Sequence, residues 1–412
     1  MHFQLTDEQR ALQDAVRSYL RDRFGPDQVR ALFDNDTDGV PADLWKAVNE
    51  QGWLAVLVPE EHDGLGLGLL DASVISRAFG AATVPGPWLS TILVGEAVRL
   101  AGSPAQQAEH LPRLTEGLVM GAVALVRNGA TPNPAGAPVE VSGDSLTGDL
   151  GLVEYAEVAN ALVVASRDGG LHLVDPQGPG VTVTPQDSLD RTTKLARVVL
   201  DGAPAERLEH SSPEVLQEVL DRAAVLVAGD LAGIARKALT DTVEYDKIRL
   251  QFGKPVGSFQ AIKHDLADLH VAVTMAEHAA TYAAHAFDID APDKQLAASI
   301  AKSKAADASR TAVSAMIQYH GGIGYTWEHD SHFYFKRSKR QEASYGDVAQ
   351  HRERIATLLI DGAGPTAAAG PTAAAGPTAA AGPTAAATTG HESGGTAAAS
   401  RDGQDRVTGP TA

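Results

Sequence analysis

The sequence predicts an α+β fold of three successive regions, helical, then β-rich, then helical again, followed by a disordered tail. Three observations predict it. Apolar residues recur at helical spacing through the first 118 positions. Between 119 and 208 they gather into short β-branched runs separated by Gly, Pro and Asp. From 209 the helical pattern returns and holds to 362.

In the first region, 1–118, Thr6 followed by Gln9 has the form of a capping box. Behind it Leu12, Val16 and Leu20, with Tyr19 beside them, share one helix face. Trp45 to Trp53 reads as a second, short helix, and Pro59-Glu60-Glu61-His62-Asp63-Gly64-Leu65-Gly66 as a turn-rich loop. In the middle region, 119–208, the runs 122–126, 161–165, 170–174 and 196–200 are the expected strands of a small barrel or sandwich. The last helical region, 209–362, contains long segments near 213–248, 257–288 and 293–320. Beyond it, 363–412, Gly-Pro-Thr-Ala-Ala-Ala repeats four times. Proline and glycine at that spacing forbid a continuous helix and leave no apolar face to bury. This segment is expected to be a disordered tail, a linker or a repeat expansion without a role.

Composition narrows the function. The 412 residues carry 52 acidic against 34 basic side chains, a formal charge of −18. That balance argues against nucleic acid, whose phosphates require a basic patch. With no cysteine there is no disulfide framework, thiolate metal site or thiol nucleophile. The N-terminus has no basic segment leading into an apolar run, and no long uninterrupted apolar stretch follows. A cytoplasmic, soluble protein that neither enters a membrane nor binds nucleic acid is the expectation.

Two stretches carry chemistry. Arg249-Leu250-Gln251-Phe252-Gly253-Lys254-Pro255-Val256, followed by Phe259-Gln260-Ala261-Ile262-Lys263-His264, falls in the break between two long helices. An arginine there can present a planar fork to a phosphate, or simply favour the helix dipole at a C-terminus. Gln318-Tyr319-His320-Gly321-Gly322-Ile323-Gly324-Tyr325 ends a long helix in glycines, either as a plain C-cap or as a place where another group approaches the backbone.

Taken together, these stretches resemble the acyl-CoA dehydrogenases, FAD enzymes that remove the α and β hydrogens of acyl thioesters. The loop 59–66 is similar to that family's Pro-Glu-x-x-Gly-Gly-x-Gly loop, and the resemblance runs over residues 3–361. It implies a helical N-terminal domain, a β-barrel-like middle domain and a helical-bundle C-terminal domain. It implies also that Arg249 and Gln318 contact the FAD pyrophosphate and adenosine end, with Phe252, Gln260 and Gly322 as further cofactor-lining positions. In this family such residues reach FAD held mainly by a neighbouring subunit, so an oligomer is implied.

The chain departs from the family pattern at three places. The family's Thr-Glu-Pro-x-Ala-Gly-Ser-Asp segment is replaced by Val126-Arg127-Asn128-Gly129-Ala130-Thr131-Pro132-Asn133. Its Trp-Ile-Thr-Asn run becomes Leu152-Val153-Glu154-Tyr155, placing a carboxylate where a flavin must accept negative charge. The Tyr-Glu-Gly-Thr turn that carries the base reads Tyr345-Gly346-Asp347, and the alternative base position aligns with Ala223. Removing an α-proton needs a poised carboxylate. Asp347 and Asp221 are the nearest substitutes, though Asp347 reads more readily as a turn residue with an Asx-type bond.

Other groups read as structural. His320, His329 and His332 lack zinc-ligand spacing, so no metal is expected. Lys336, Arg337, Lys339 and Arg340 read as a solvated helix face or as contacts to CoA or to a partner's FAD. Ser166 and Ser188 lack the glycine context of a nucleophile elbow.

The retained and lost residues together imply the subunit that lacks the base in a heteromeric acyl-CoA dehydrogenase, a heterotetramer with a homologous chain, acting on acyl-CoA of the sterol side-chain type. An electron-transfer flavoprotein would take the electrons. The alternatives are an autonomous homo-oligomer using Asp347, a scaffold or acyl-CoA-binding module, and other flavin chemistry.

Overall fold

The computed structural model describes residues 5–35 and 37–360. The repeat tail expected over 363–412 lies outside them. The N-terminal helices are α1 (Asp7–Arg23), α2 (Pro26–Asp34), α3 (Ala42–Glu50), α4 (Leu69–Ala81), α5 (Trp88–Ala101) and α6 (Pro104–Thr115). Thr6 caps α1 as its sequence requires: Gln9 N–H donates to Thr6 Oγ1 at 3.2 Å and Thr6 N–H to Gln9 Oε1 at 3.1 Å. The helix expected from Trp45 to Trp53 lies earlier. α3 begins just after Pro41, whose fixed φ suits a helix start, and its chain turns back at Gln51, where Trp53 N–H meets Val48 O at 3.0 Å. Trp53 is thereby released to pack edge-on against Tyr19 and Phe79 in the core.

Eight strands follow: β1 (Gly121–Ala124), β2 (Glu140–Ser142), β3 (Ser145–Glu154), β4 (Ala161–Ala165), β5 (Leu171–Val174), β6 (Val181–Gln186), β7 (Leu195–Pro204) and β8 (Glu206–Arg207). They form two four-stranded sheets, ordered β1-β4-β5-β8 and β2-β3-β7-β6. β1 and β4 run parallel with Ala122 opposite Leu162, and the other pairs are antiparallel. Leu146, Leu150 and Val153 of β3 meet Val198 and Leu200 of β7 and Leu162 and Val164 of β4 in a single apolar core. β3 and β6 escape a sequence reading for physical reasons. Register shifts after Leu146 and Asp149 interrupt the alternation of β3, and β6 is an edge strand with no fully buried residue.

The helical C-terminal region comprises α7 (Pro213–Ile248), the hairpin β9 (Leu250–Gln251) and β10 (Lys254–Pro255), α8 (Gln260–Asp288), α9 (Lys294–Tyr319), α10 (Ser331–Ala343) and α11 (Val348–Ile360). α7 packs on α9, and small residues of both, Ala228 and Ala235 on one and Ala298, Ala301, Ala305 and Ala312 on the other, lie buried in one apolar core. α4 crosses α7 backbone against backbone. A Cβ on Gly80 would lie 2.0 Å from Asp230 O, and one on Gly233 2.0 Å from Arg77 O. That crossing fixes Asp230 beside the α10 arginines described below.

Candidate cofactor and substrate site

The five cofactor-lining candidates lie at one end of the α7, α8 and α9 layer. Arg249 ends α7, Phe252 is the tip of the β9-β10 hairpin, Gln260 opens α8, and Gln318 and Gly322 stand at and just after the end of α9. Tyr245, one turn before Arg249, stacks on His320 with ring centroids 4.3 Å apart, tying the α7 end to the α9 end. All five candidates are exposed, and Phe252 is 90% so. The side chains of Arg249 and Gln318 have no hydrogen-bond or ion-pair partner among the described residues. Gln318 also lines a groove of about 610 Å³ between α8 and α9. A Cβ on Gly322 would meet nothing within 4 Å, so its backbone is open to approach.

A second feature lies where the middle region meets α10. A cleft of about 260 Å³ is walled by Ser90, the stretch 125–130, Leu152, Glu154, Arg340 and the turn 343–346. The three segments that depart from the family pattern thus meet around one space. The two substitute carboxylates do not reach it as free groups. Asp347, the candidate base, is instead the cap of α11: Gln350 N–H donates to its Oδ1 at 2.8 Å, and Asp347 N–H donates to Gln350 Oε1 at 3.0 Å. Asp221 is buried in α7 and held by Arg354, whose Nη2 donates to Oδ2 at 2.8 Å and whose Nη1 donates to Oδ1, with Gln217 at 3.0 Å. Ala223 is fully buried.

The turn itself is held from beneath. Lys302 Nζ donates to Gly346 O at 2.8 Å and to Glu342 O at 3.0 Å. Burial pushes the Lys302 ammonium down to about 7, against the opposing pull of Glu342 and Asp347. His351 pairs with Tyr345 O at 2.9 Å, and burial, with the Lys302 charge, lowers it to about 3.

The α10 basic run does not form a solvated face. Arg337 is buried, its Nη2 donating to Asp230 Oδ2 at 2.5 Å and its Nη1 to Val84 O at 2.8 Å. Arg340 donates to Glu154 Oε1 at 2.5 Å and to Asp190 Oδ2 at 2.8 Å. Lys336 lies over the Trp327 ring at 4.2 Å, and Lys339 pairs with Glu342 at 3.3 Å. Residues 333, 334, 337, 338 and 341 of α10 recur at helical spacing and face inward, which turns Arg337 toward Asp230, while Arg340, three positions on, stands half-buried at the edge of that face.

The remaining clusters are structural. His320 and His329 lie 4.3 Å apart, and no group of three or more potential metal ligands exists among the described residues. Ser166 Oγ lies 2.9 Å from His172 Nε2, but Asp168 bonds the serine rather than the imidazole, and serine and histidine are both buried. That inverts the order a nucleophilic triad requires and fixes the β4-β5 turn instead. No helix among the described residues is long and apolar enough to cross a membrane.

Residues 6–118 match the acyl-CoA dehydrogenase N-terminal domain and residues 214–360 the acyl-CoA dehydrogenase C-terminal domain. The chain belongs to the acyl-CoA dehydrogenase family, FAD-dependent oxidoreductases acting on CH–CH groups. It is 35% identical over 333 residues to acyl-CoA dehydrogenase IpdE2 of Mycobacterium tuberculosis, covering 81% of this chain and 91% of that protein. Among solved structures it is similar to a variant of the Tcur3481-Tcur3483 steroid ACAD, with a TM-score of 0.80, 30% identity and coverage of 87% of this chain and 99% of that one. It is also similar to the ChsE4-ChsE5 complex of Mycobacterium tuberculosis, with a TM-score of 0.79, 27% identity and the same coverages.

Proposed function

We propose that this chain is the subunit without a catalytic base in a heteromeric FAD-dependent acyl-CoA dehydrogenase, acting on acyl-CoA thioesters of the sterol side-chain type. The observation that carries the reading is the fate of the carboxylates near the cleft. The base position is Gly346, Asp347 caps α11 through Oδ1 and does not line the cleft, and Asp221 is ion-paired with Arg354. A homologous partner chain supplies the glutamate that takes the α-proton. FAD, when bound, supplies the acceptor for the β-hydrogen, and an electron-transfer flavoprotein reoxidises the complex.

This chain's own part lies at the hairpin end. Arg249 offers an unpaired guanidinium fork that complements a diphosphate. Gln318 offers a carboxamide to the adenosine end, Gly322 an approachable backbone, and Phe252 and Gln260 the flanking surface. The relatives whose names describe two-chain or steroid enzymes support the heteromeric form and the substrate class.

The test is to produce the chain alone and together with a homologous acyl-CoA dehydrogenase chain, and to measure bound flavin by visible absorbance. Flavin is expected only in the co-produced complex, at less than one per chain, and Arg249→Ala is expected to deplete it. One flavin per chain in the lone protein, or undiminished flavin in the Arg249→Ala complex, overturns the assignment.

A further inference from the structure

The cleft between the middle region and α10 is closed by charge. Beneath it lies an inner cavity of only about 30 Å³, lined by Phe79, Trp88, Tyr155, Asp230 and Arg337 together with Glu154 and Arg340. The last two also line the outer cleft, so the Glu154–Arg340 pair stands between the two spaces. The inner space admits little more than a water molecule. The outer cleft, at about 260 Å³, is smaller than the roughly 300–1,000 Å³ of ordinary small-molecule pockets.

The wall is held from several elements. Arg340 reaches Glu154 at the end of β3 and Asp190 in the β6-β7 connection. Asp190 is fixed in turn by Thr192, whose Oγ1 donates to it at 2.5 Å. Arg337 spans from Asp230 on α7 to Val84 O and, at 3.2 Å, to Thr192 Oγ1. Tyr155 O–H donates to Thr192 O at 2.6 Å and accepts from Gly86 N–H at 2.6 Å. The charged groups of this wall and the Tyr155 hydroxyl are each matched to a partner, so displacing one leaves a buried partner unpaired. Three carboxylates, Glu154, Asp190 and Asp230, are thus tied to two guanidiniums, Arg337 and Arg340.

We propose that the Glu154–Arg340 pair, braced by Asp190 and the Arg337–Asp230 pair, closes this chain's own ring cleft to an isoalloxazine and to an acyl chain. The statement about this cleft rests on the subunit reading only for its consequence, that the complex carries flavin solely at the partner's ring site. The ring half of the family's cofactor therefore does not fit this chain, while its diphosphate end fits the exposed hairpin end.

The test titrates the full-length chain with lumiflavin, the ring without its diphosphate, and follows quenching of its fluorescence. The wild-type chain is expected to give no saturable quenching. Glu154→Ala with Arg340→Ala removes both charges together, and Asp190 keeps its Thr192 bonds. This opened variant is expected to bind the ring at least about tenfold more tightly than wild type. Glu154→Ala alone, which keeps the Arg340–Asp190 pair, is expected to fall between and serves if the double variant does not fold. Saturable binding to wild type overturns the closure. An opened variant that is folded by near-ultraviolet circular dichroism yet still binds no ring overturns its assignment to this ion pair. Assembly of the wild-type chain with a homologous chain, followed by size exclusion, tests the subunit reading separately and leaves the lumiflavin result standing either way.

Discussion

Restoring a glutamate at position 346 is the most direct challenge to the reading, and the structure sets its cost. Gly346 has φ 98°, a conformation that side-chain-bearing residues rarely adopt. A Cβ there would lie 2.7 Å from Pro132 Cγ and 2.8 Å from His351 Nε2. His351 cannot swing away freely, because that nitrogen meets Tyr345 O at 2.9 Å. Backbone strain of about 1–3 kcal/mol and overpacking of about 1–3 kcal/mol together set the cost of Gly346→Ala at about 2–6 kcal/mol. Gly346→Glu carries the same Cβ and adds a carboxylate beside a closed cleft, so it is expected to be at least as destabilised and to gain no dehydrogenase activity. Urea unfolding followed by tryptophan fluorescence reads the first expectation, and reduction of an artificial acceptor by acyl-CoA with the lone chain reads the second. A Gly346→Ala midpoint within about 0.5 kcal/mol of wild type would refute the steric argument. Turnover by the lone Gly346→Glu chain would refute the argument that the missing base and the closed cleft are built into the fold.

Four further outcomes follow from other groups. Lys302 titrates near 7 in the folded chain against 10.5 in an unfolded one, so the unfolded state binds more protons between those values. Wild-type stability should therefore rise with pH from about 7 toward 10.5, and Lys302→Met should flatten that rise in denaturation curves recorded across the window. Arg354→Met leaves the buried Asp221 carboxylate with Gln217 but without a counter-charge and should cost about 3–5 kcal/mol in urea unfolding. Asp221→Asn should leave kcat of the assembled complex within about twofold, whereas a base would lose orders of magnitude. Gln318→Ala should lower the flavin content of the complex without shifting the unfolding midpoint of the lone chain, since its exposed side chain makes no hydrogen bond among the described residues; a shifted midpoint would show that Gln318 is structural.

Much of the fold is legible in the sequence because its signals are local. The Thr6–Gln9 cap and the long apolar periodicities of α7, α8 and α9 are written within short windows, and the helices fall within a few residues of the expected segments. The hairpin end is legible too, since Arg249 and Gln318 sit in glycine-marked breaks that any reading would notice. What was not legible depends on distant partners. β3 hides because two register shifts break its alternation, and only pairing with β7 reveals it. Asp347 reads either as a turn residue with an Asx-type bond or as a displaced base, because a cap and a base use the same side chain. The difference lies in Gln350, whose N–H claims the carboxylate.

The four arginines bearing on function divide on the same principle. Arg337 and Arg340 sit in a run of basic residues that reads as solvated, yet each meets carboxylates more than a hundred positions away in the chain, on β3, the β6-β7 connection and α7. No window of sequence contains both halves of those pairs. Arg354 is satisfied in the same way by Asp221. Arg249 is the exception, an exposed guanidinium on a hairpin end with no described partner. A guanidinium paired inside the fold has its donors committed and contributes to architecture. One left in solvent at a helix end keeps its fork for an external anion. On the reading proposed above, the same residue type closes this chain's own ring cleft and leaves the hairpin end open to a neighbouring chain's cofactor, the asymmetry expected of a subunit that completes another chain's site.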